Sequence, residues 1–118
     1  MHTHIHYQGN VTIIEPHGKI VGPSVLALRK TILPHIGADA DPRIIINFEH
    51  VHRMSSSGLG MLTQARALTK RKNGRMAVIH VSKHINNLLV LSRLSSLFEH
   101  FETEREAISA LSQPPPAD

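Results

Sequence analysis

At 118 residues, the chain has the length of one compact domain, enough to bury about two-thirds of its unfolded surface. Apolar residues at 41% and charged ones at 19% are those of an ordinary globular protein, and the absence of cysteine excludes a disulfide framework or a thiolate zinc site. The formal charge of +4, with one Tyr, three Phe and no Trp, supplies neither the basic patch nor the stacking aromatics of a nucleic-acid binder.

The amino terminus, Met1-His2-Thr3-His4-Ile5-His6, lacks the basic start and apolar run of a signal peptide. No apolar stretch approaches membrane-spanning length, so a cytoplasmic location without membrane contact is expected. Residues 5–21 read as two or three short strands. Val11, Ile13 and Glu15 alternate with Thr12, Ile14 and Pro16, while Gly9-Asn10 and His17-Gly18 supply turns. Gly22-Pro23-Ser24 opens a helix, proline costing nothing in a first turn that has no partner for its N–H. Val25, Leu28 and Ile32 recur at helical spacing, with Leu26, Leu33 and Ile36 widening the stripe. Pro34 is expected to kink or end that helix, and residues 37–42 are a loop.

Ile44-Ile45-Ile46-Asn47-Phe48 has the β-branched, unalternating character of a strand buried on both faces. A loop and the turn Met54-Ser55-Ser56-Ser57-Gly58-Leu59-Gly60 follow. Leu59, Leu62, Ala65 and Leu68 then mark one face of a helix ending near Asn73-Gly74. The basic run Lys70-Arg71-Lys72, with Arg75 after it, complements the dipole at that helix's end. Residues 76–81 form a second buried strand. Ser82 caps a helix carrying Ile85, Leu88, Leu89 and Leu91 or Ser92. Residues 97–101 are ambiguous, a last short strand being one option. Thr103 with Glu106 is a capping-box pattern before Ile108 and Leu111. Residues 113–118 are expected to be a stiff, unpacked proline-rich tail, leaving a domain over 1–112. Strands followed by strand–helix alternation predict an α/β domain.

The serine corner is where the sequence concentrates chemistry. A hydroxyl held between a buried strand and a helix faces solvent beside the helix's positive end. Enzyme motifs fail there. A nucleophile elbow needs glycine two residues before and after the serine, and Ser57 has Ser55 and Leu59. A dinucleotide fingerprint from Gly58 meets Thr63 where glycine is required, and no Gly-Lys-Ser/Thr end of a phosphate-binding loop exists. Helix capping by Ser57 or Ser56 accounts for one serine and leaves the others over. Among the ten histidines, His2, His4 and His6 line one face of an extended segment, and His50 and His52 flank Val51. No carboxylate or thiolate neighbours the amino-terminal trio, so no metal site is expected.

The stretch from Ile44 to Phe48, with Val51, Met54 and Ser55-Ser56-Ser57-Gly58-Leu59-Gly60-Met61-Leu62, resembles the signature of STAS domains, specifically of anti-sigma factor antagonists. Gly18-Lys19-Ile20-Val21-Gly22 is similar to the family's strand before its first helix, and the resemblance runs from about residue 5 to residue 111. It implies a single STAS-like α/β domain, a mixed sheet of about four to five strands with about four helices packed mainly on one face. It also implies a binding module, not an enzyme, that needs no cofactor. The partners are an anti-sigma factor that is also a serine kinase, and a serine phosphatase acting on the modified form. The phosphorylated serine directly precedes Gly-Leu-Gly, which matches Ser57, with Ser56 and Ser55 as lesser candidates. The partner surface is expected over Pro23, Ser24, Arg53, Ser55, Ser56, Ser57, Gly58, Leu59, Gly60 and Met61, although the helical stripe favours a core role for Leu59. The family carries aspartate where this chain has Ser55. That departure keeps open a second reading, a phosphorylation-independent scaffold or subunit in a stress-signalling complex or lipid transporter.

Overall fold

The computed structural model describes residues 1–114. It holds β1 (His2–Gln8), β2 (Val11–Ile20), α1 (Pro23–Gly37), β3 (Arg43–Asn47), β4 (Val51–Met54), α2 (Ser56–Arg71), β5 (Arg75–Ile79), α3 (Lys83–Leu91), β6 (Glu99–Phe101) and α4 (Glu104–Leu111). The sheet has six strands in the order β1-β2-β3-β5-β6, with β4 also paired to β2. Only β1 is antiparallel to its neighbour; the other pairings are parallel.

β3 and β5 are buried at every residue, as unalternating apolar strands in the middle of a sheet must be. Side chains of β2, β3 and β5 alternate between two cores. Ile14, Ile44, Ile46, Met76 and Val78 pack under α1, α2 and α3, through Leu28, Ile32, Leu62, Ala65, Ile85 and Leu89. Val11, Ile13, Ile45, Ala77 and Ile79 face the other way, onto Ala107 and Leu111 of α4. Three helices therefore cover one face and α4 covers part of the other.

Two expectations are corrected by the strands. The region before the serines is β4 and not a loop, which raises the strand count to six. Its exposure pattern, buried at Val51 and Met54 and exposed at His52 and Arg53, has no period-two signature, so only pairing with the far end of β2 reveals it. That end of β2 is reached through an irregularity at Gly18, whose φ of +111° suits glycine. The expected turn at His17-Gly18 is thus a bulge within one ten-residue strand. Pro16 sits in the interval between β2's ladder to β3, which stops at Ile14, and its ladder to β4, which starts at Gly18.

α1 also continues past Pro34 to Gly37. Leu28, Ile32 and Ile36 form an unbroken i, i+4 stripe, all fully buried, and that packing holds the last turn despite the missing N–H. The other boundaries follow local chemistry. Ser82 Oγ accepts the Ile85 N–H and Thr103 Oγ1 accepts the Glu106 N–H. Asn73, at φ 60°, stops the chain after α2, and Lys72 Nζ donates to the Gly37 carbonyl. Arg75 is buried against Glu99 and the Ala110 carbonyl. The basic run is thereby absorbed into structure at two of its four members. Leu91, placed in the stripe of α3, is instead 83% exposed. Of the proline-rich tail, residues 115–118 lie outside the described residues.

Candidate functional site

The chain leaves β4 at Met54 and enters α2 at Ser56. Ser55 makes the junction. It is extended (φ −86°, ψ 170°), and its Oγ accepts the N–H of Gly58 at 3.2 Å. Its own N–H donates to the Ile20 carbonyl of β2 at 3.0 Å. Ser55, and neither Ser56 nor Ser57, is the cap. The β2–β4 pairing holds Ser55 extended, and helical backbone starts at the next residue. Ser56 and Ser57 are then the first two residues of α2, both exposed.

Ser57 Oγ lies 2.9 Å from Ser55 Oγ. Ser55 has one hydroxyl proton, and the Ile20 carbonyl at 3.3 Å can only accept it. The arrangement that satisfies every group has Ser57 donating to Ser55, which leaves the lone pairs of the Ser57 oxygen facing solvent. Serine caps a helix about as well as aspartate does. The substitution at position 55 therefore preserves the helix start and replaces a charged acceptor beside Ser57 with a neutral one.

Gly58 is fitted tightly. A Cβ there would lie 2.8 Å from Met54 Cγ, 2.9 Å from Ile20 Cγ2 and 3.0 Å from the Ile20 carbonyl oxygen. Its bareness lets the first turn of α2 rest on β2 and β4. Gly60 is different: nothing stands within 4 Å of a Cβ built on it. It lines an open groove of about 440 Å³ between α1 and α2, with Gly22, Val25, Arg29, Ser57 and Met61. On the other side of the corner, Lys19, Arg53 and His84 surround Ser55 and Ser56. The formal charges lining both depressions are cationic.

The expected surface is redistributed accordingly. Pro23 is exposed at the start of α1, directly after Gly22 at φ 53°. Arg53 is exposed on β4. Ser24 is half-buried and ties the β2–α1 turn, its single hydroxyl proton shared between the Lys19 and Val21 carbonyls and its oxygen accepting the Val21 N–H. Leu59, which its place in the helical stripe also assigns to the core, is 4% exposed and packs there under α2, not on the partner surface. Gly58 is likewise buried. Met61 has the same low exposure and contributes only to the floor of the groove. Three further residues line the groove without a motif to mark them: Leu26, 53% exposed, with Arg29 and Gln64. The apolar character of Leu26 suggests the buried stripe of α1, but its position does not. Two residues before Leu28 it lies about 200° around the helix, outside that stripe.

The sequence model of the STAS domain family matches residues 3–107. This chain belongs to the STAS domain family. Among proteins of known role, this STAS domain is 31% identical over 68 residues to the anti-sigma F factor antagonist of Paenibacillus polymyxa; that match covers 58% of each chain. A structure described as a putative anti-sigma factor antagonist from Thermotoga maritima superposes with TM-score 0.87 at 15% identity, covering 94% of this chain and 95% of that one. The phosphorylated form of the Bacillus cell fate determinant SpoIIAA superposes with TM-score 0.71 at 25% identity, covering 92% and 98%. The fold is common to this chain and those two solved structures. No helix among the described residues is long and apolar enough to cross a membrane.

Proposed function

We propose that this STAS domain is an anti-sigma factor antagonist, a binding module and not an enzyme, acting in the cytoplasm. It binds an anti-sigma factor that is also a serine kinase, and phosphorylation at Ser57 releases it. A separate serine phosphatase restores the binding form. The observation that carries this reading is the placement of the Ser57 hydroxyl. It is exposed on the first turn of a capped helix, at the edge of an open groove.

The physics of that position suits a switch. A phosphate adds about −1.5 to −2 charges. A helix amino terminus accommodates an anion, and Arg29, which lines the same groove as Ser57, adds a cation. The fold survives the modification. Against a closely packed partner, the same phosphate is a bulky charge to be desolvated. A penalty of about 3 kcal/mol weakens binding roughly a hundredfold. Names of relatives point the same way, one an anti-sigma F factor antagonist and another seen in a phosphorylated form.

A second reading, a phosphorylation-independent scaffold or subunit, draws on Ser55. As a neutral acceptor it polarises the Ser57 hydroxyl less than a carboxylate does. One experiment separates the two. The protein is incubated with ATP and a serine-kinase anti-sigma factor encoded beside it, and phosphate is mapped by mass spectrometry. Transfer to Ser57 is expected, with Ser57→Ala keeping partner affinity and Ser57→Asp losing most of it. Stable binding without transfer, and equal affinity of the two variants, would establish the scaffold instead.

A further inference from the structure

The face of the sheet opposite α1, α2 and α3 is covered by α4 only in part, and its uncovered end is lined with imidazoles. Register explains why. His4 stands opposite Glu15 and His2 opposite His17 across the β1–β2 ladder. Glu15 and His17 share the face of Ile13, which packs toward α4. The connection from β3 to β4 then brings in His50, whose carbonyl accepts the Gly18 N–H at 2.9 Å. The His50 ring stacks on that of His17, with centroids 4.4 Å apart and planes 19° from parallel.

We propose that Glu15, His17 and His50 form a binding site for a divalent transition-metal ion of the zinc class. The His17 and His50 Nε2 atoms lie 2.9 and 3.8 Å from the same oxygen, Glu15 Oε1. One ligand atom from each of the three residues falls within 4.8 Å of the others. In a tetrahedral site with bonds of about 2.0–2.2 Å, ligand atoms are about 3.3–3.6 Å apart. The Glu15–His17 separation is shorter than that spacing and the Glu15–His50 separation a little longer, so binding requires modest side-chain shifts and a turn of the stacked rings that aims both Nε2 atoms at one ion. Imidazole with carboxylate and no thiolate is a donor set for zinc, nickel or copper, and not for calcium or magnesium.

The carboxylate is also held from behind. Asn47, 4% exposed, donates from Nδ2 to Glu15 Oε2 at 3.0 Å, and its Oδ1 accepts the Glu49 N–H at 2.9 Å. This is the outer support that fixes a metal-ligating carboxylate and leaves its other oxygen for the ion. His2 and His4, with ring centroids 5.4 and 5.5 Å from that of His17, are the neighbouring imidazoles from which a fourth ligand could come. Along the chain no carboxylate neighbours the amino-terminal histidines. Strand pairing provides one from eleven residues beyond His4.

The test uses the full chain, stripped with chelator and titrated with ZnCl2 by calorimetry and with CoCl2 by visible absorption. One ion per chain at micromolar affinity is expected, with the cobalt bands of low-coordinate nitrogen and oxygen ligation. His50→Ala, at an exposed residue, and Glu15→Gln, which keeps the Asn47 contact, should each weaken binding about tenfold or more with the circular dichroism unchanged. His84→Ala should leave it unaltered. Lack of stoichiometric binding by the unaltered protein would overturn the site. So would binding that survives His50→Ala and disappears when His2, His4 and His6 are replaced together by threonine, since the terminal segment alone would then hold the ion.

Discussion

Replacing Gly58 and Gly60 by alanine one at a time tests the packing of the serine corner, because helix propensity favours both changes equally. Each gains about 1 kcal/mol from replacing glycine inside a helix. At Gly60 nothing opposes the gain, since no atom lies within 4 Å of the new Cβ. At Gly58 the methyl meets Ile20 and Met54, 0% and 4% exposed, at 2.8–3.0 Å. The Ile20 carbonyl among those contacts cannot withdraw without losing its bonds from the Ser55 N–H and Oγ. Overpacking of this kind costs about 3 kcal/mol at the upper end of its range. The expected net is about 2 kcal/mol of destabilisation for Gly58→Ala and about 1 kcal/mol of stabilisation for Gly60→Ala. At about 3–6 °C per kcal/mol for a chain of this size, the two variants should melt roughly 9–18 °C apart by calorimetry or circular dichroism. Equal melting temperatures, or a more stable Gly58→Ala, would refute the close approach of α2 to β2. Gly60→Ala carries a second expectation, weaker partner binding without loss of stability, because it narrows the groove beside Ser57.

Ser55→Ala should cost about 1 kcal/mol in chemical denaturation by removing the cap. Ser55→Asp should instead match the original within about 0.5 kcal/mol, and if phosphorylation at Ser57 controls partner binding it should speed phosphate transfer to Ser57 in a kinase assay. Thr103→Ala should cost about 1 kcal/mol by uncapping α4; a neutral effect would show that the Glu106 N–H bond is unimportant. Glu99→Gln should cost about 2 kcal/mol, less than a fully buried pair because the Glu99 side chain is 33% exposed and Arg75 keeps its bond to Ala110. Urea titration measures this, and a change below about 0.5 kcal/mol would place the pair among ordinary surface bridges.

What the sequence determined by itself was everything written within a few neighbouring residues. The caps at Ser82 and Thr103, the fully apolar strands around Ile45 and Val78, and the buried stripe of α2 depend on local hydrogen bonds and on helix or strand period. Those signals act over one or two turns of chain and were legible. The serine motif was legible too, because strand, turn and helix follow one another without interruption there. The tertiary structure decided whatever depends on which distant segments meet. β4 exists because β2 is long enough to pair beyond β3, and α1 survives Pro34 because Ile36 has a core to enter. Ser55 became the cap because Ile20, thirty-five residues earlier, holds it extended. The carboxylate beside the histidines came from antiparallel register, which no local pattern encodes. Pairing and close approach are set by the summed burial of the whole domain, and single-residue chemistry reads only its near end.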